Sequence, residues 1–360
     1  MMHSPLRHMS SIVWKRQPIQ LTFFVTRKCN ASCPFCFYLK STDKPENTTA
    51  ELSLQEIENI SQSLGDLLWL AFSGGEIYLR QDLVEISKVF YEHNNPVIML
   101  YPTNGLLPEL IRNKTEQILA SCRESVIVVK LSIDGLHGDH DALRRTPGGF
   151  DKAMRSYYLL EELLGEYPNF ELGINTVFCA HNQDKMDEII DFVGELKGVK
   201  THTISMVRGH LEEEDYKNVD VSKYRRAIAR LEDNLKTKTA DLYRFKGARL
   251  KAAQDLVQRR LIHQTLVEQQ RQHPCYAGKL NLVLSETGEV YPCEILTTSF
   301  GNVRDHDYDI MKLIHSDKAE AVTKPILQNK CYCTHECNFI TNILFNPRMY
   351  PSLFKQYLQL

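Results

Sequence analysis

Short apolar runs alternate with segments of helical period over residues 20–209, and this alternation constrains the fold more than any other sequence feature. The intervening segments have the spacing of amphipathic helices, and the one at residues 53–64 begins with a capping box of Ser53 and Glu56. Strands that alternate with helices indicate a parallel α/β layer, and we predict a partial (β/α)6 TIM-like barrel. The six predicted strands are QLTFFVT (20–26), WLAFSGG (69–75), VIMLYPTNG (97–105), VIVVKLSID (126–134), LGINTVF (172–178) and HTISMVRG (202–209).

Polar motifs stand at or just after the end of each predicted strand. A cysteine-rich segment follows the first strand, SGGE the second, PTNG the third and SIDG the fourth. Asn175 lies late in the fifth strand, and VRG ends the sixth. In a parallel barrel the loops at the carboxyl ends of the strands converge, and active sites form there. The motifs are therefore predicted to face one site.

The balance of charge and the pattern of apolar residues exclude several classes of protein. The 360 residues include 43 Lys plus Arg and 45 Asp plus Glu, so the formal charge is only −2, which argues against a nucleic-acid or membrane-surface partner. Apolar runs fall far short of the roughly 20 residues that cross a bilayer, and the N-terminus lacks the apolar core of a secretory signal. We expect a cytoplasmic protein, in which the ten cysteines serve metal binding or catalysis rather than disulfides.

The segment TRKCNASCPFCFY places three thiols, those of Cys29, Cys33 and Cys36, on one short loop. Three thiolates suit zinc or an iron–sulfur cluster. A structural zinc site would need a fourth ligand nearby, whereas Cys122 and Cys179 lie on other elements. An iron–sulfur cluster held by three cysteines leaves one iron open, which is useful where a further molecule must bind.

The spacing C-x3-C-x2-C, with an aromatic residue before the last cysteine, resembles the signature of the radical S-adenosylmethionine superfamily. The run FSGGE resembles the superfamily's stretch that contacts the amino group of S-adenosylmethionine, and LSIDG resembles its ribose-contacting strand end. HDALRR, INTVF and SMVRG match further positions, so the resemblance covers roughly residues 18–210. The cofactor-binding residues that it implies are Phe35, Gly74, Gly75, Glu76, Ser132, Asp134, Arg144, Asn175 and Arg208.

The resemblance implies a specific chemistry. Cys29, Cys33 and Cys36 would hold a [4Fe–4S] cluster whose open iron chelates S-adenosylmethionine. An electron from an external reductant such as flavodoxin or ferredoxin would then cleave the cofactor to a 5′-deoxyadenosyl radical, which abstracts hydrogen from an unactivated C–H bond. The motifs identify no catalytic acid, base or hydrogen donor.

A second group of thiols lies near the C-terminus. Its pattern of a cysteine, a G-x4-C segment and a downstream cysteine group resembles the auxiliary-cluster extension called SPASM, or twitch in its one-cluster form. Five cysteines are too few for two clusters, so we predict one auxiliary [4Fe–4S] cluster. Cys275, Cys293 and Cys337 are the expected ligands, with Cys331 or Cys333 as the fourth. The spare cysteine would be a structural residue or an active-site thiol, and a zinc site with four cysteine ligands is the alternative. The five cysteines are Cys275, Cys293, Cys331, Cys333 and Cys337.

The composition also suggests domain boundaries. A charged, glycine-poor stretch follows the barrel and is predicted to form amphipathic helices that pack on it, rather than a partner-binding arm. The predicted segments are a leader (1–17), the barrel (18–210), a helical connector (211–272), a small Cys-rich β-hairpin domain that carries the auxiliary cluster (273–345) and a tail (346–360).

An auxiliary cluster can accept an electron from a substrate radical, so a net oxidation is expected. The barrel starts near residue 20, which leaves no room for an N-terminal peptide-docking domain and favours a polar small molecule or glycan-type substrate. A peptide substrate is the alternative. Two other classes are an iron–sulfur electron-transfer or sensor protein and a zinc-stabilised interaction protein, but neither explains Glu76 and Ser132 at strand ends.

Overall fold

The computed structural model describes residues 2–39, 50–237, 242–245, 247–328 and 331–360. A short 3-10 helix at Pro5–Ile12 precedes the first strand. The strands are β1 (Gln20–Thr26), β2 (Trp69–Gly74), β3 (Ile98–Thr103), β4 (Val126–Ser132), β5 (Phe170–Phe178), β6 (Val199–Met206), β7 (Asn281–Leu284), β8 (Glu289–Tyr291) and β9 (Gly301–Asn302). The helices are α1 (Leu54–Ser63), α2 (Leu83–Asn94), α3 (Pro108–Ser121), α4 (Gly138–Arg144), α5 (Gly149–Leu163), α6 (Met186–Glu195), α7 (Val221–Lys236), α8 (Ala248–Glu268), α9 (Ile310–Ile314), α10 (Asp317–Leu327), α11 (Glu336–Leu344) and α12 (Tyr350–Gln359).

The nine strands of the described residues all belong to one sheet, in the order β6-β5-β4-β3-β2-β1-β7-β8-β9. The first six strands are parallel, with helices between them, which confirms the predicted partial barrel. The predicted C-terminal hairpin forms, since β7 pairs antiparallel with β8, and β7 also pairs in parallel with β1, from Gln20 opposite Asn281 to Phe23 opposite Leu284. Cys275 and Cys293, which flank the hairpin, are therefore attached to a direct continuation of the barrel sheet.

Side chains on the two faces of the sheet enter different cores. Leu70 and Phe72 of β2 pack with the surrounding helices in the main core. Trp69 and Ala71 of the same strand point to the other face, as the two-residue period of a strand requires. Trp69 joins Ile98 and other first residues of the strands in a smaller apolar cluster, which fills the barrel interior near its amino end.

The predicted connector contributes two long helices, α7 and α8, separated by residues that include 238–241 and 246, which are outside the described part of the chain. Helix α8 packs against α11 and α12, and its polar residues Gln254 and Gln258 are buried. The residues predicted as a tail form α12. Across the described residues, the search for a helix with the length and apolar character of a membrane span found none.

Candidate functional site

The three-thiol loop leaves the carboxyl end of β1. The amide of Cys36 donates to the carbonyl of Cys33 (3.2 Å), and the amide of Leu39 donates to the sulfur of Cys36 (3.4 Å), so the loop turns tightly around its thiols. Burial raises the pKa of Cys29, and it raises the pKa of Cys33 to about 11 although the nearby charge of Arg144 opposes the shift. Without a metal the thiols of Cys29 and Cys33 are therefore protonated at neutral pH.

Gly74 and Gly75 allow the end of β2 to lie directly on this loop. The amide of Gly75 donates a hydrogen bond to the carbonyl oxygen of Thr26, and the amide of Glu76 donates one to that of Lys28, both at 2.8 Å. A Cβ atom on Gly74, which has φ +139°, would lie 2.3 Å from Thr26 O, and one on Gly75 would lie 2.1 Å from Lys28 O. The glycines predicted to approach a ligand thus also have a backbone role, since any side chain would separate β2 from the loop.

Glu76 is buried and organises the ends of β2 and β3. One carboxylate oxygen accepts from the hydroxyl of Thr103 (2.9 Å) and the amide of Tyr78 (3.2 Å), and the other accepts from the amide of Asn104 (2.8 Å). Burial raises the pKa of Glu76, and these hydrogen bonds oppose that shift. They use three of about four acceptor positions of a carboxylate, so one remains for a ligand.

Asn104 links Glu76 to the thiol loop, a role that the sequence did not reveal. Its side-chain amide donates to Asn30 Oδ1 (2.8 Å) and lies 3.9 Å from Cys29 Sγ. From the sequence alone, the segment PTNG is indistinguishable from one that only turns the chain. The available signal was its position, directly after a parallel strand and beside the end that carries SGGE.

Asp134 and Arg144 form a buried ion pair beside the thiols. Asp134 Oδ2 accepts from Arg144 Nε (2.6 Å), and Oδ1 accepts from the amide of Val177 (2.7 Å). Burial lowers the pKa of Arg144, but the charges of Asp134 and Cys33 outweigh it and raise that pKa overall. Asp134 was predicted, with Ser132, to contact the ribose; its two hydrogen bonds leave acceptor positions free, and its carboxylate also positions Arg144. Ser132, the last residue of β4, lies opposite Asn175 of β5 in the sheet register.

A cavity of about 290 Å³ extends from the thiol loop into the barrel. At the loop it is lined by Phe35, Phe37 and Asn175, which places two of the predicted cofactor-binding residues beside it. Lys130 on β4 was missed by the sequence analysis, although a charged residue within the apolar run VIVVKLSID was a usable signal. The charged and thiol side chains that line the cavity are Lys130, Arg208, Lys251, Asp255, Arg259, Glu294, Glu336 and Cys337.

Arg208 and Glu294 form a polar cluster at the thiol-loop end of this cavity. Arg208 Nη2 lies 3.5 Å from Glu294 Oε2, its guanidinium lies over the ring of Phe37 at 5.0 Å, and Glu294 Oε1 is 3.3 Å from His335 Nε2. Burial raises the pKa of Glu294, but His335 and Arg208 outweigh this effect and lower that pKa to about 2. Arg208 is therefore brought into the cavity, as its strand-end position predicted.

Four of the five C-terminal thiols surround a separate, largely apolar cavity of about 60 Å³. Its walls include Ala277, Leu296 and Ile326. The fifth thiol, that of Cys337, lines the barrel cavity instead, and its sulfur lies within 4.8 Å of ligand atoms of Glu294 and His335. This arrangement differs from the ligand set expected from the sequence, which included Cys337. The four grouped residues are Cys275, Cys293, Cys331 and Cys333.

Both thiol sites fit iron–sulfur clusters in the chemistry of their donors. The C-terminal site offers four sulfur ligands in an apolar pocket, and the loop after β1 offers three with a cavity on its open side. Arg271 donates to the sulfur of Cys331 (2.9 Å) and to its carbonyl oxygen (3.0 Å), so a cation offsets the negative charge that thiolate ligands would bring.

Two family models match the chain. The model of the Radical SAM superfamily matches residues 23–193, and that of the SPASM iron–sulfur cluster-binding domain matches residues 275–338. Among curated proteins, the AdoMet-dependent heme synthase of Methanosarcina barkeri is 25% identical over 311 residues. The match covers 82% of this chain and 82% of the synthase. The subtilosin biosynthesis protein AlbA of Bacillus subtilis is 25% identical over 333 residues, which are 89% of this chain and 66% of AlbA.

Solved structures show the same fold. The anSMEcpe structure with bound AdoMet has a TM-score of 0.61 at 17% identity, and the match covers 95% of this chain and 93% of that one. Streptococcus suis SuiB bound to S-adenosylmethionine has a TM-score of 0.58 at 17% identity, over 84% of this chain. The chain spans only 66% of the length of SuiB.

Proposed function

Because this chain is an enzyme of the radical SAM superfamily with a C-terminal SPASM domain, we propose that it removes a hydrogen atom from a polar substrate held in the barrel cavity. The observation that carries this proposal is the cavity itself, which extends from Phe35 and Phe37 of the three-thiol loop to a set of partly buried charged side chains. An apolar substrate would leave Lys130 and Arg259 without an ionic partner among the described residues, and partly buried ions that lack a partner destabilise the complex.

In this proposal the loop after β1 binds the first cluster through Cys29, Cys33 and Cys36. When bound, the cluster and S-adenosylmethionine supply the 5′-deoxyadenosyl radical. The free acceptor position of Glu76 would receive the ammonium group of S-adenosylmethionine. Ser132, at the end of β4, and Asn175, opposite it in β5, would contact its ribose, while Asp134 would hold Arg144 beside the thiols. Electrons would come from an external protein such as flavodoxin or ferredoxin.

The second cluster would be held by Cys275, Cys293, Cys331 and Cys333. Glu294 follows Cys293 directly and lines the barrel cavity, so the two sites are neighbours along the chain. A one-electron acceptor in this neighbouring site suits a net oxidation. In such a reaction the substrate loses one hydrogen atom, one further electron and a proton. We therefore propose oxidation of a polar small molecule or glycan-type compound.

A peptide is the second candidate substrate. The relatives include AlbA and the sporulation killing factor maturation protein SkfB of Bacillus subtilis, which is 24% identical over 188 residues. A depression of about 390 Å³ adjoins Arg208 and is lined by Gly209, Gln269 and Tyr332. Through this depression, one side chain of a peptide would reach the cavity while the backbone stayed outside.

The test is formation of 5′-deoxyadenosine by anaerobically reconstituted protein supplied with S-adenosylmethionine and dithionite. We expect Cys33→Ala to lose at least about 99% of the product, because a cluster held by two thiols cannot present the cofactor. Cys122→Ala is the matched control, since Cys122 is buried outside both thiol sites. Product formation by Cys33→Ala at the rate of the control would refute the proposal.

A further inference from the structure

The inner end of the barrel cavity, defined by Lys130, Lys251, Asp255 and Arg259, carries an excess of positive charge. Lys130 comes from β4, and the other three residues lie on α8. Among the described residues that line this end, three cations surround the single carboxylate of Asp255. Cations held together at a partly buried site repel one another, so the arrangement is unfavourable unless a further anion joins it.

The carboxylate of Asp255 is already occupied. Its Oδ1 is in contact with Lys251 Nζ, and its Oδ2 accepts from the hydroxyl of Tyr243 (2.8 Å). No carboxylate in the described part of the chain lies within ion-pair distance of Lys130 or Arg259. Glu336 also lines the cavity and its charge acts on Lys130, but it forms no ion pair with either cation, so Lys130 and Arg259 lack a direct ionic partner among the described residues.

The hydrogen bonds of the two cations are incomplete as well. Lys130 Nζ donates to the hydroxyl of Thr203 (2.5 Å), and Arg259 Nη2 donates to the carbonyl of His202 (3.1 Å). Arg259 Nη1 is buried and has no acceptor. An unsatisfied guanidinium donor is costly, and a planar oxyanion is the group that satisfies such a donor together with a neighbouring ammonium.

We propose that Lys130 and Arg259 bind a carboxylate group of the substrate. This inference rests on the proposed function, because it takes the barrel cavity to be the substrate site, and it narrows the substrate to a carboxylic acid. Lys130 precedes Ser132 by two residues, so the carboxylate would lie about 7 Å below the strand ends, at about 3.3 Å per residue. The reacting carbon would then be a few bonds from the carboxylate, on the side of the thiol loop.

The test is a thermal unfolding experiment on the full, anaerobically reconstituted chain with butyrate as the probe. Butyramide serves as the neutral analogue of the same shape, and sodium chloride keeps the ionic strength constant. We expect butyrate at about 50 mM to raise Tm by about 3 °C more than butyramide, since a ligand stabilises the state that binds it. The difference should vanish in Arg259→Gln and in Lys130→Gln.

Arg260→Gln is the matched control, because Arg260 follows Arg259 on α8 but pairs with Glu232 of α7 outside the cavity. It should keep the full difference between butyrate and butyramide. Equal Tm values with the two probes in the natural sequence, or an undiminished difference in both cavity variants, would overturn the proposal. A larger effect of inorganic phosphate than of butyrate would overturn the carboxylate assignment. The readout needs no cleavage of S-adenosylmethionine, so failure here is distinct from failure of the proposed function.

Discussion

Cys337 illustrates how one helix boundary decides the role of a residue. It follows Cys333 by four residues, and a reading of the spacing alone groups the two thiols. Helix α11 begins at Glu336, however, and the helical backbone carries Cys337 towards the barrel cavity. Cys333 lies before the helix and remains with Cys275 and Cys293. The location of a helix start within a run of cysteines has only a weak local signature, because His335 makes no side-chain cap.

The first prediction separates these thiols by their effect on iron content. We expect Cys331→Ser and Cys333→Ser each to lose about four of eight iron atoms per reconstituted chain, because each removes a ligand from the C-terminal site. Cys337→Ser should keep all eight. Iron analysis combined with Mössbauer spectroscopy makes the measurement. A Cys337→Ser protein that holds only four iron atoms would restore the ligand set expected from the sequence.

Other residues of the site differ in how far the sequence revealed them. Cys29, Cys33 and Glu76 were identified because their motifs are short and follow strands. Asn104 and Lys130 were not, since each acts through partners distant in the chain. Asn104 contacts Glu76, which follows β2, and Lys130 is affected by α8 residues more than 100 positions away. A contact that joins distant segments leaves no pattern in either segment, so such residues are found only once the fold places them together.

At the scale of elements, the junction between β2 and the loop after β1 supports the first thiol site. The second prediction concerns this junction. We expect Gly75→Ala to lose most of the iron of the first site, about four atoms per chain, because its Cβ would lie 2.1 Å from Lys28 O and would push the loop away. Gly138→Ala is the control, because a Cβ there meets no atom within 4 Å. Iron content and 5′-deoxyadenosine formation report the effect, and a Gly75→Ala protein that matches the control in both would show that the junction is not required.

The elements themselves were largely predictable, and their pairing was only partly so. Six strands with intervening helices were visible as local periodicities, and parallel pairing of consecutive strands follows from their connections. The pairing of β7 with β1 joins residues more than 250 positions apart. Its four residues, NLVL, are compatible with a hairpin in a separate domain or with the edge of the barrel. The free edge of β1 decides between these two arrangements, because it offers β7 a strand to pair with. That edge exists only once the sheet has assembled, so the local sequence does not show it.

For the whole molecule, the buried charge of Lys130 makes stability depend on pH. Burial lowers the pKa of Lys130 to about 8, and Lys251 and Arg259 add to that effect while Asp255 and Glu336 oppose it. The unfolded chain keeps the ordinary value near 10.4, so between about pH 8 and pH 10.4 the unfolded state binds more protons and stability rises with pH. Below pH 8 the full penalty of the buried charge applies.

The third prediction follows from this rise of stability with pH. We expect Lys130→Met to be more stable than the natural sequence by about 2 kcal/mol at pH 7, after allowance for solvent screening, and the gain to shrink by half or more at pH 9.5. Urea unfolding at the two pH values measures the gain, and other titrating groups cancel in the difference between the proteins. Gains of the same size at pH 7 and pH 9.5 would show that the charge of Lys130 is not the cause.

The fourth prediction tests whether the barrel stands without the C-terminal part of the chain. A chain of residues 1–272 would lose the β7 partner of β1, and the apolar cluster inside the barrel would lose Leu280, Ile340 and Phe345. Three buried apolar side chains stabilise a fold by about 6 kcal/mol, which is comparable to the whole net stability of a domain. We therefore expect this fragment to aggregate or to unfold without cooperativity, as measured by size-exclusion chromatography and thermal circular dichroism. A monomeric fragment with a sharp transition and a loaded first cluster would mean that the C-terminal part is an independent domain attached to a self-sufficient barrel.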